Sequence, residues 1–163
     1  MTPETFEIRP ARAGDESTIL SLLRDLAVYE KLLDRFHITE AVIRRDYLSA
    51  VPLLNCDLAF AGGAPVGVAT WYWTYASFMA RRGIYLEDLF VHPRARGRGH
   101  GRKLLAHLAK RAVAAGGFYM QWSVLPWNTP SIEFYERLGA ESDRDWLVYR
   151  LAGEKLEDVA DGG

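Results

Sequence analysis

Cysteine is almost absent. Cys56 is the only one in 163 residues, so no disulfide can form within the chain and a reducing compartment is expected. Charge of one sign is also lacking: 20 Lys and Arg against 21 Asp and Glu leave a net charge of −1. That excludes a general electrostatic attraction to nucleic acid or to an anionic membrane surface. No apolar run approaches the roughly 20 residues of a membrane span. The first residues, Met1-Thr-Pro-Glu-Thr5, lack the basic and apolar regions of a signal peptide. A cytoplasmic protein with no membrane or nucleic-acid partner is therefore expected. The four histidines, His37, His92, His100 and His107, show no metal-ligand spacing with a nearby carboxylate or thiol, so no metal is expected. Nor is there a Gly-x-Ser-x-Gly nucleophile elbow.

What the chain does have is a large apolar fraction, 49% hydrophobic with 12% aromatic, enough for one domain with a substantial core. It is organised around residues 85–105. Tyr85, Leu86, Leu89, Phe90 and Val91 read as a strand that Pro93 stops. Leu104, Leu105, Leu108, Ala109, Ala112 and Val113 recur at helical spacing, with Arg102, Lys103, His107, Lys110 and Arg111 on the other side. Between the two lies Arg96-Gly-Arg-Gly-His-Gly101. A glycine turn entering a helix offers backbone N–H groups and the positive end of the helix dipole, which suits a phosphate or pyrophosphate. The same residues would also serve as a tight, soluble loop. The spacing Gly97-x-Gly99-x-Gly101 is not the dinucleotide fingerprint, and Arg102-Lys103 after Gly101 is not a P-loop.

In chain order, Phe6 to Arg9 reads as a strand. A helix follows over about 16–30, with Asp15 as its cap and Ile19, Leu22, Leu23 and Leu26 as its apolar stripe. Thr39 can cap a second helix to about Leu48, with Val42, Ile43 and Tyr47 facing inward. Leu54–Ala61 and Val66–Thr74 read as a hairpin joined by Gly62-Gly63. Tyr75–Gly83 reads as a loop. Beyond the central strand and helix come a strand over Phe118–Val124, a short helix from Pro130 to Leu138, and a last strand over Trp146–Leu151. From Gly153 the acidic tail is expected to fray. The order is β-α-α-β-β-β-α-β-α-β, an α/β (α+β) fold: a mixed, mostly antiparallel sheet with helices on both faces and a parallel crossover over 84–124. One domain is expected over 1–152, with a tail over 153–163.

This order, with an Arg-x-x-Gly-x-Gly turn after the fourth strand, resembles the GNAT superfamily of N-acetyltransferases. A second motif agrees: Asn128-Thr-Pro-Ser-Ile-Glu-Phe-Tyr135 looks like the family's asparagine-to-tyrosine segment. Within the superfamily, Leu26-Ala-Val-Tyr29-Glu30-Lys31-Leu32, Tyr85-Leu-Glu-Asp-Leu-Phe-Val91 and Trp127-Asn128 are similar to the spermidine/spermine and thialysine N-acetyltransferase branch. Where the polyamine enzyme has an acidic residue and a tryptophan, this chain has Ala76 and Phe78. The resemblance implies acetyl-CoA as co-substrate, a small-molecule amine as acceptor and a homodimer.

Acetyl transfer to an amine needs a proton removed from the nucleophile, donors for the carbonyl oxygen and a proton for the leaving thiolate. The resemblance assigns the first task to Glu87, directly or through water, and the last to Tyr135. Read without it, Glu87 and Asp88 are charges at a sheet edge, and Tyr135 shares an apolar helical face with Ile132 and Leu138. On a regular strand Glu87 and Asp88 point to opposite faces, and a bulge would change this. The resemblance also implies coenzyme contacts from the backbone of Leu89, Phe90 and Val91, from Arg96, Gly97, Arg98, Gly99, His100, Gly101 and Arg102, and from Asn128 and Ser131. Tyr29, Glu30, Glu87 and Asp88 would meet the acceptor. The alternatives are a module that binds an acyl-CoA without chemistry, and an acetyltransferase for a peptide or protein amine.

Overall fold

A computed structural model of the chain describes residues 5–162. They form two compact units, one ending at Ser123 and one beginning at Val124. The first unit holds a five-stranded sheet in the order β1-β2-β3-β4-β5. The strands are β1 (Phe6–Pro10), β2 (Asn55–Ala61), β3 (Ala64–Ala76), β4 (Arg81–Val91) and β5 (Tyr119–Gln121). The first three pairings are antiparallel and β4 pairs with β5 in parallel. The expected mixed, mostly antiparallel sheet is present.

Three helices cover this sheet: α1 (Glu16–Tyr29), α2 (Glu40–Asp46) and α3 (His100–Ala114). Strand alternation sorts the core into two sides. Ile19, Leu22, Leu23 and Leu26 of α1 and Ile43 of α2 pack with Cys56, Leu58, Val68 and Phe90 on one face. On the other face the guanidinium of Arg111, on α3, reaches Asp57 of β2, and Leu104, Leu105, Leu108 and Ala112 are buried. The stripe read in the sequence is therefore the packing face of α1. Truncating Leu22 or Leu23 to Ala would cost about 2–5 kcal/mol.

Local signals explain most element ends. Gly62 and Gly63 both adopt positive φ, 57° and 81°, as a two-residue hairpin between β2 and β3 requires. Thr39 caps α2 by accepting the N–H of Val42 at 3.2 Å. Asp15 precedes α1 but makes no side-chain cap bond. Its carboxylate instead accepts two bonds from Arg9, at 2.7 and 2.9 Å, and the N–H of Arg12 at 2.8 Å. These charge-assisted bonds to β1 outcompete the cap.

Other expectations are corrected. Tyr75–Gly83 is not a loop: β3 runs to Ala76, β4 starts at Arg81, and Ser77–Ala80 makes the turn, closed by Ala80 N–H to Ser77 C=O at 3.2 Å. The strand expected over Phe118–Val124 shortens to Tyr119–Gln121. In the second unit, α4 (Thr129–Glu136) stands where a short helix was expected. Trp146–Leu151 forms no strand, and Trp146, Leu147, Val148 and Tyr149 are exposed. Strand-prone residues make a strand only where a neighbouring backbone supplies the ladder. The tail expected to fray carries α5 (Glu154–Ala160). Good helix formers and acids in its first turn favour that outcome.

Candidate active site

The centre of the first unit is a break in the β3–β4 register. Thr70 pairs with Asp88 and Trp71 with Leu86, so Glu87 has no partner residue on β3. This is a β-bulge of one extra residue. It lets Ile84 and Leu86 stay buried while Asp88 turns its carboxylate to the opposite face and accepts a hydrogen bond from the Thr70 hydroxyl. Glu87, which is exposed, lies close enough to Asp88, Tyr72 and Tyr47 to raise the pKa of all three. The bulge thus brings the two adjacent acids into one neighbourhood.

The second edge of β4 is open above that point. β5 pairs only with Gly83, Ile84 and Tyr85. Among the described residues no strand pairs with β4 on this edge from Leu86 to Val91. His92 N–H bonds back to Val66 C=O on β3 at 2.8 Å, whereas the Val91 carbonyl faces away and accepts Arg96 Nε at 2.8 Å. By alternation Leu89 shares the direction of Val91. Phe90 does not: its ring is buried in the core and its carbonyl lies 2.9 Å from where a Cβ on Gly67 would stand. The open edge is therefore carried by the backbones of Leu89 and Val91.

From Val91 the chain passes through a single 3-10 turn, Pro93–Ala95, into the glycine turn. Gly97 and Gly99 have φ of 76° and 78°, a region that disfavours any side chain. A Cβ at either would meet no atom within 4 Å, so the space over the turn is open. The first ladder bond of α3 runs from Lys103 N–H to Gly99 C=O at 3.0 Å. The N–H groups of Gly101 and Arg102 thus precede the ladder, at the positive end of the dipole. Arg98 and Arg102 are exposed beside them. Arg96 and His100 are engaged elsewhere. The Arg96 guanidinium lies 4.8 Å from the Tyr29 ring centre and 5.7 Å from that of Phe90. The buried His100 ring stacks on Phe6 at 4.4 Å, nearly parallel. What His100 presents to an anion is its place in the turn rather than its imidazole.

Acids gather on the α1 and α2 side of the bulge. Burial raises the pKa of Asp88 most; Thr70 opposes that by donating to the carboxylate, and Glu87 adds to it. Glu30, just past the end of α1, is raised by burial and then by Asp88. Tyr47, just past the end of α2, is raised by burial, then by Asp88, Cys56 and Glu87. Burial likewise pushes up the Cys56 thiol, with Asp57 and Asp88 adding to it. Glu30, Glu87 and Asp88, all expected to meet the acceptor, are brought together. Tyr29, expected with them, lies under Arg96. Thr70 and Tyr47 were missed. Tyr47 reads only as an inward residue of its helix, and Thr70 gives no signal because its place beside Asp88 depends on strand register.

A different acid occupies the α3 side. Asp57 is fully buried. Its carboxylate accepts two bonds from Arg111, at 2.9 and 3.1 Å, and one from Trp71 Nε1 at 2.7 Å, with His107 Nε2 at 3.2 Å. His107 and Arg111, expected on the solvent side of α3, are instead turned to the sheet.

In the second unit, Asn128 caps α4 by accepting the Ser131 N–H at 3.4 Å. Pro130 sits in the first turn. Tyr135 lies one residue from the end of this helix, its ring 5.2 Å from that of Phe134.

A central strand with an acid bulge and an open edge, followed by a glycine turn at a helix start, defines the GNAT class of acetyltransferases. The model of the acetyltransferase (GNAT) family matches residues 20–140, and the chain belongs to that family. It is an acetyltransferase, and acetyl-CoA is the family's co-substrate. The chain is 35% identical over 164 residues to a thialysine N-epsilon-acetyltransferase of Bos taurus, covering 94% of this chain and 96% of that one. It is also 35% identical over 165 residues to the human spermidine/spermine N(1)-acetyltransferase-like protein 1, covering 95% of this chain and 24% of that longer one. Among solved structures, an integron cassette protein from the mobile metagenome of V. cholerae superposes with a TM-score of 0.81 at 24% identity, covering 95% and 97% of the two chains. That likeness speaks for the fold.

Proposed function

We propose that this enzyme transfers the acetyl group of acetyl-CoA to a primary amine of a small cationic molecule, a diamine, polyamine or lysine-like amine. The observation that carries the reading is the bulge at Glu87, which gathers Glu87, Asp88 and Glu30 beside the open edge of β4. Three acids favour an acceptor that arrives as an ammonium ion. The full-length likeness to a thialysine N-epsilon-acetyltransferase points the same way.

In this reading, which follows family membership for Asn128, Ser131 and Tyr135, the residues divide the work. Gly97–Arg102 hold the pyrophosphate, with Arg98 and Arg102 adding charge, and Asn128 and Ser131 help bind the coenzyme. Leu89 and Val91 pair with the pantetheine arm as a strand would. Glu87 takes the proton from the ammonium, directly or through one water. The freed nitrogen attacks the thioester carbonyl to give a tetrahedral adduct. As the C–S bond breaks the Tyr135 hydroxyl protonates the departing thiolate, and the second proton lost by the nitrogen as the amide forms restores the tyrosine hydroxyl, directly or through water. Asp88 and Glu30 hold the remaining positive charge of the acceptor. Residues 1–152 carry the activity in this reading. A homodimer is part of it too, supported by the exposed apolar tip Tyr75, Phe78 and Met79. The single, buried Cys56 supports a cytoplasmic location.

The test is kinetic. Glu87→Gln should lower kcat about a hundredfold at pH 7, less as pH rises and the amine deprotonates unaided. Tyr135→Phe should lower kcat more than acetyl-CoA affinity. Wild-type turnover in either variant, with chemistry rate-limiting, removes that residue from the mechanism.

A further inference from the structure

We propose that Thr70 is a positioning residue for the acceptor site, its buried hydroxyl fixing Asp88 as the charged partner of the substrate's ammonium. The inference rests on the acceptor reading given above. Thr70 is fully buried in the middle of β3. It sits in a cross-strand row between Cys56 on β2 and Asp88 on β4. Its hydroxyl donates to the Asp88 carboxylate. A threonine is stiff at χ1, so the donor is held in place before any ligand arrives.

The surroundings of Asp88 explain why such a donor matters. Glu87 lies beside it on the same strand, Glu30 approaches from α1, Tyr47 from α2 and Cys56 from β2. Each of these groups is an acid or a weak acid. Burial and Glu87 favour the protonated form of Asp88, while the Thr70 hydrogen bond favours the ionised form. A protonated Asp88 would present no charge to the acceptor. It could also turn its own proton outward, where an ammonium needs an acceptor. Position 70 is thus chosen for its hydroxyl, in a strand whose neighbours Val68, Ala69 and Trp71 are apolar core.

The experiment compares Thr70→Val and Thr70→Ser with wild type, measuring kcat/KM for 1,3-diaminopropane from pH 5.5 to 9. The same amine is used throughout, so its own titration is common to all profiles. Thr70→Val should move the acid limb upward by about one pH unit, a loss of about tenfold on the acid side. Thr70→Ser should stay within about twofold of wild type. KM for acetyl-CoA should not move, which a merely structural lesion would not guarantee. A Thr70→Val profile that overlays wild type overturns the inference, as does a Thr70→Ser profile displaced equally. If Thr70→Val does not fold, Thr70→Ala takes its place against Thr70→Ser with the same criteria. Asp88→Asn separates the two levels. If it lowers kcat/KM while Thr70→Val does not, only this inference falls. If it leaves kcat/KM unchanged, the acceptor reading falls with it.

Discussion

Asp57 and Asp88 are both aspartates in the central strands, on opposite faces of one sheet, and their surroundings differ. Asp57 meets Arg111 twice, the indole of Trp71 and the imidazole of His107. Asp88 meets one hydroxyl and otherwise faces acids. A buried carboxylate whose lone pairs are taken by a guanidinium, an indole N–H and a neighbouring ring nitrogen is part of the scaffold. A carboxylate held among acids destabilises the fold unless a ligand supplies the missing charge. That second condition is what the proposed acceptor site calls for.

The sharpest way to break this contrast is to neutralise each acid in turn. Asp57→Asn leaves Arg111 facing no charge and should cost about 3 kcal/mol in urea unfolding, with KM for the acceptor unchanged. Asp88→Asn should do the reverse. It should raise acceptor KM about tenfold, roughly 1.4 kcal/mol, and leave the fold as stable as wild type or more so at pH 7.5. If Asp88→Asn unfolds the protein and Asp57→Asn does not, the assignment of scaffold and site is inverted.

The pH dependence sharpens the same contrast. Asp88 and Glu30 have pKa values raised by burial, and in Glu30 also by Asp88. The native state holds their protons more tightly than the unfolded chain does. Their stabilising contribution is present in acid and is lost as pH rises from the ordinary carboxylate range through their folded values. The stability gained by Asp88→Asn should therefore shrink when unfolding is measured at pH 4 instead of 7.5. Asp15 has the opposite sign. The Arg9 hydrogen bonds hold its pKa below the ordinary value, so its contribution is present at neutral pH and lost on acidification. Asp15→Asn should cost about 1 kcal/mol at pH 7 and almost nothing at pH 2.5, read by thermal melts at both.

Much of this contrast was not legible in the sequence. The glycine turn, the hairpin at Gly62-Gly63 and the Thr39 cap were, because each depends on residues a few positions apart. Glu87 and Asp88 could be singled out as neighbours. Whether they share a neighbourhood depends on one extra residue in β4, which no periodicity reveals. Asp57 and Arg111 stand 54 positions apart and Thr70 and Asp88 stand 18 apart. Both partnerships exist only once strand register and helix placement are set. The reverse error is equally physical. Trp146–Leu151 has the composition of a strand, yet composition supplies no partner for its backbone.

On the reading proposed above, the acids around the bulge receive a short cationic amine. Ala76 ends β3, and Phe78 stands fully exposed at the adjoining turn; neither supplies a further acid for the distant ammonium groups of a long polyamine. The direct measurement is free thiol release from acetyl-CoA, with kcat/KM compared for a lysine analogue, 1,3-diaminopropane and spermine. The short amines should exceed spermine by about tenfold, the roughly 1.4 kcal/mol of one charged contact. A tenfold preference for spermine would contradict the short-acceptor reading, and no thiol release with any amine would contradict the acceptor site itself.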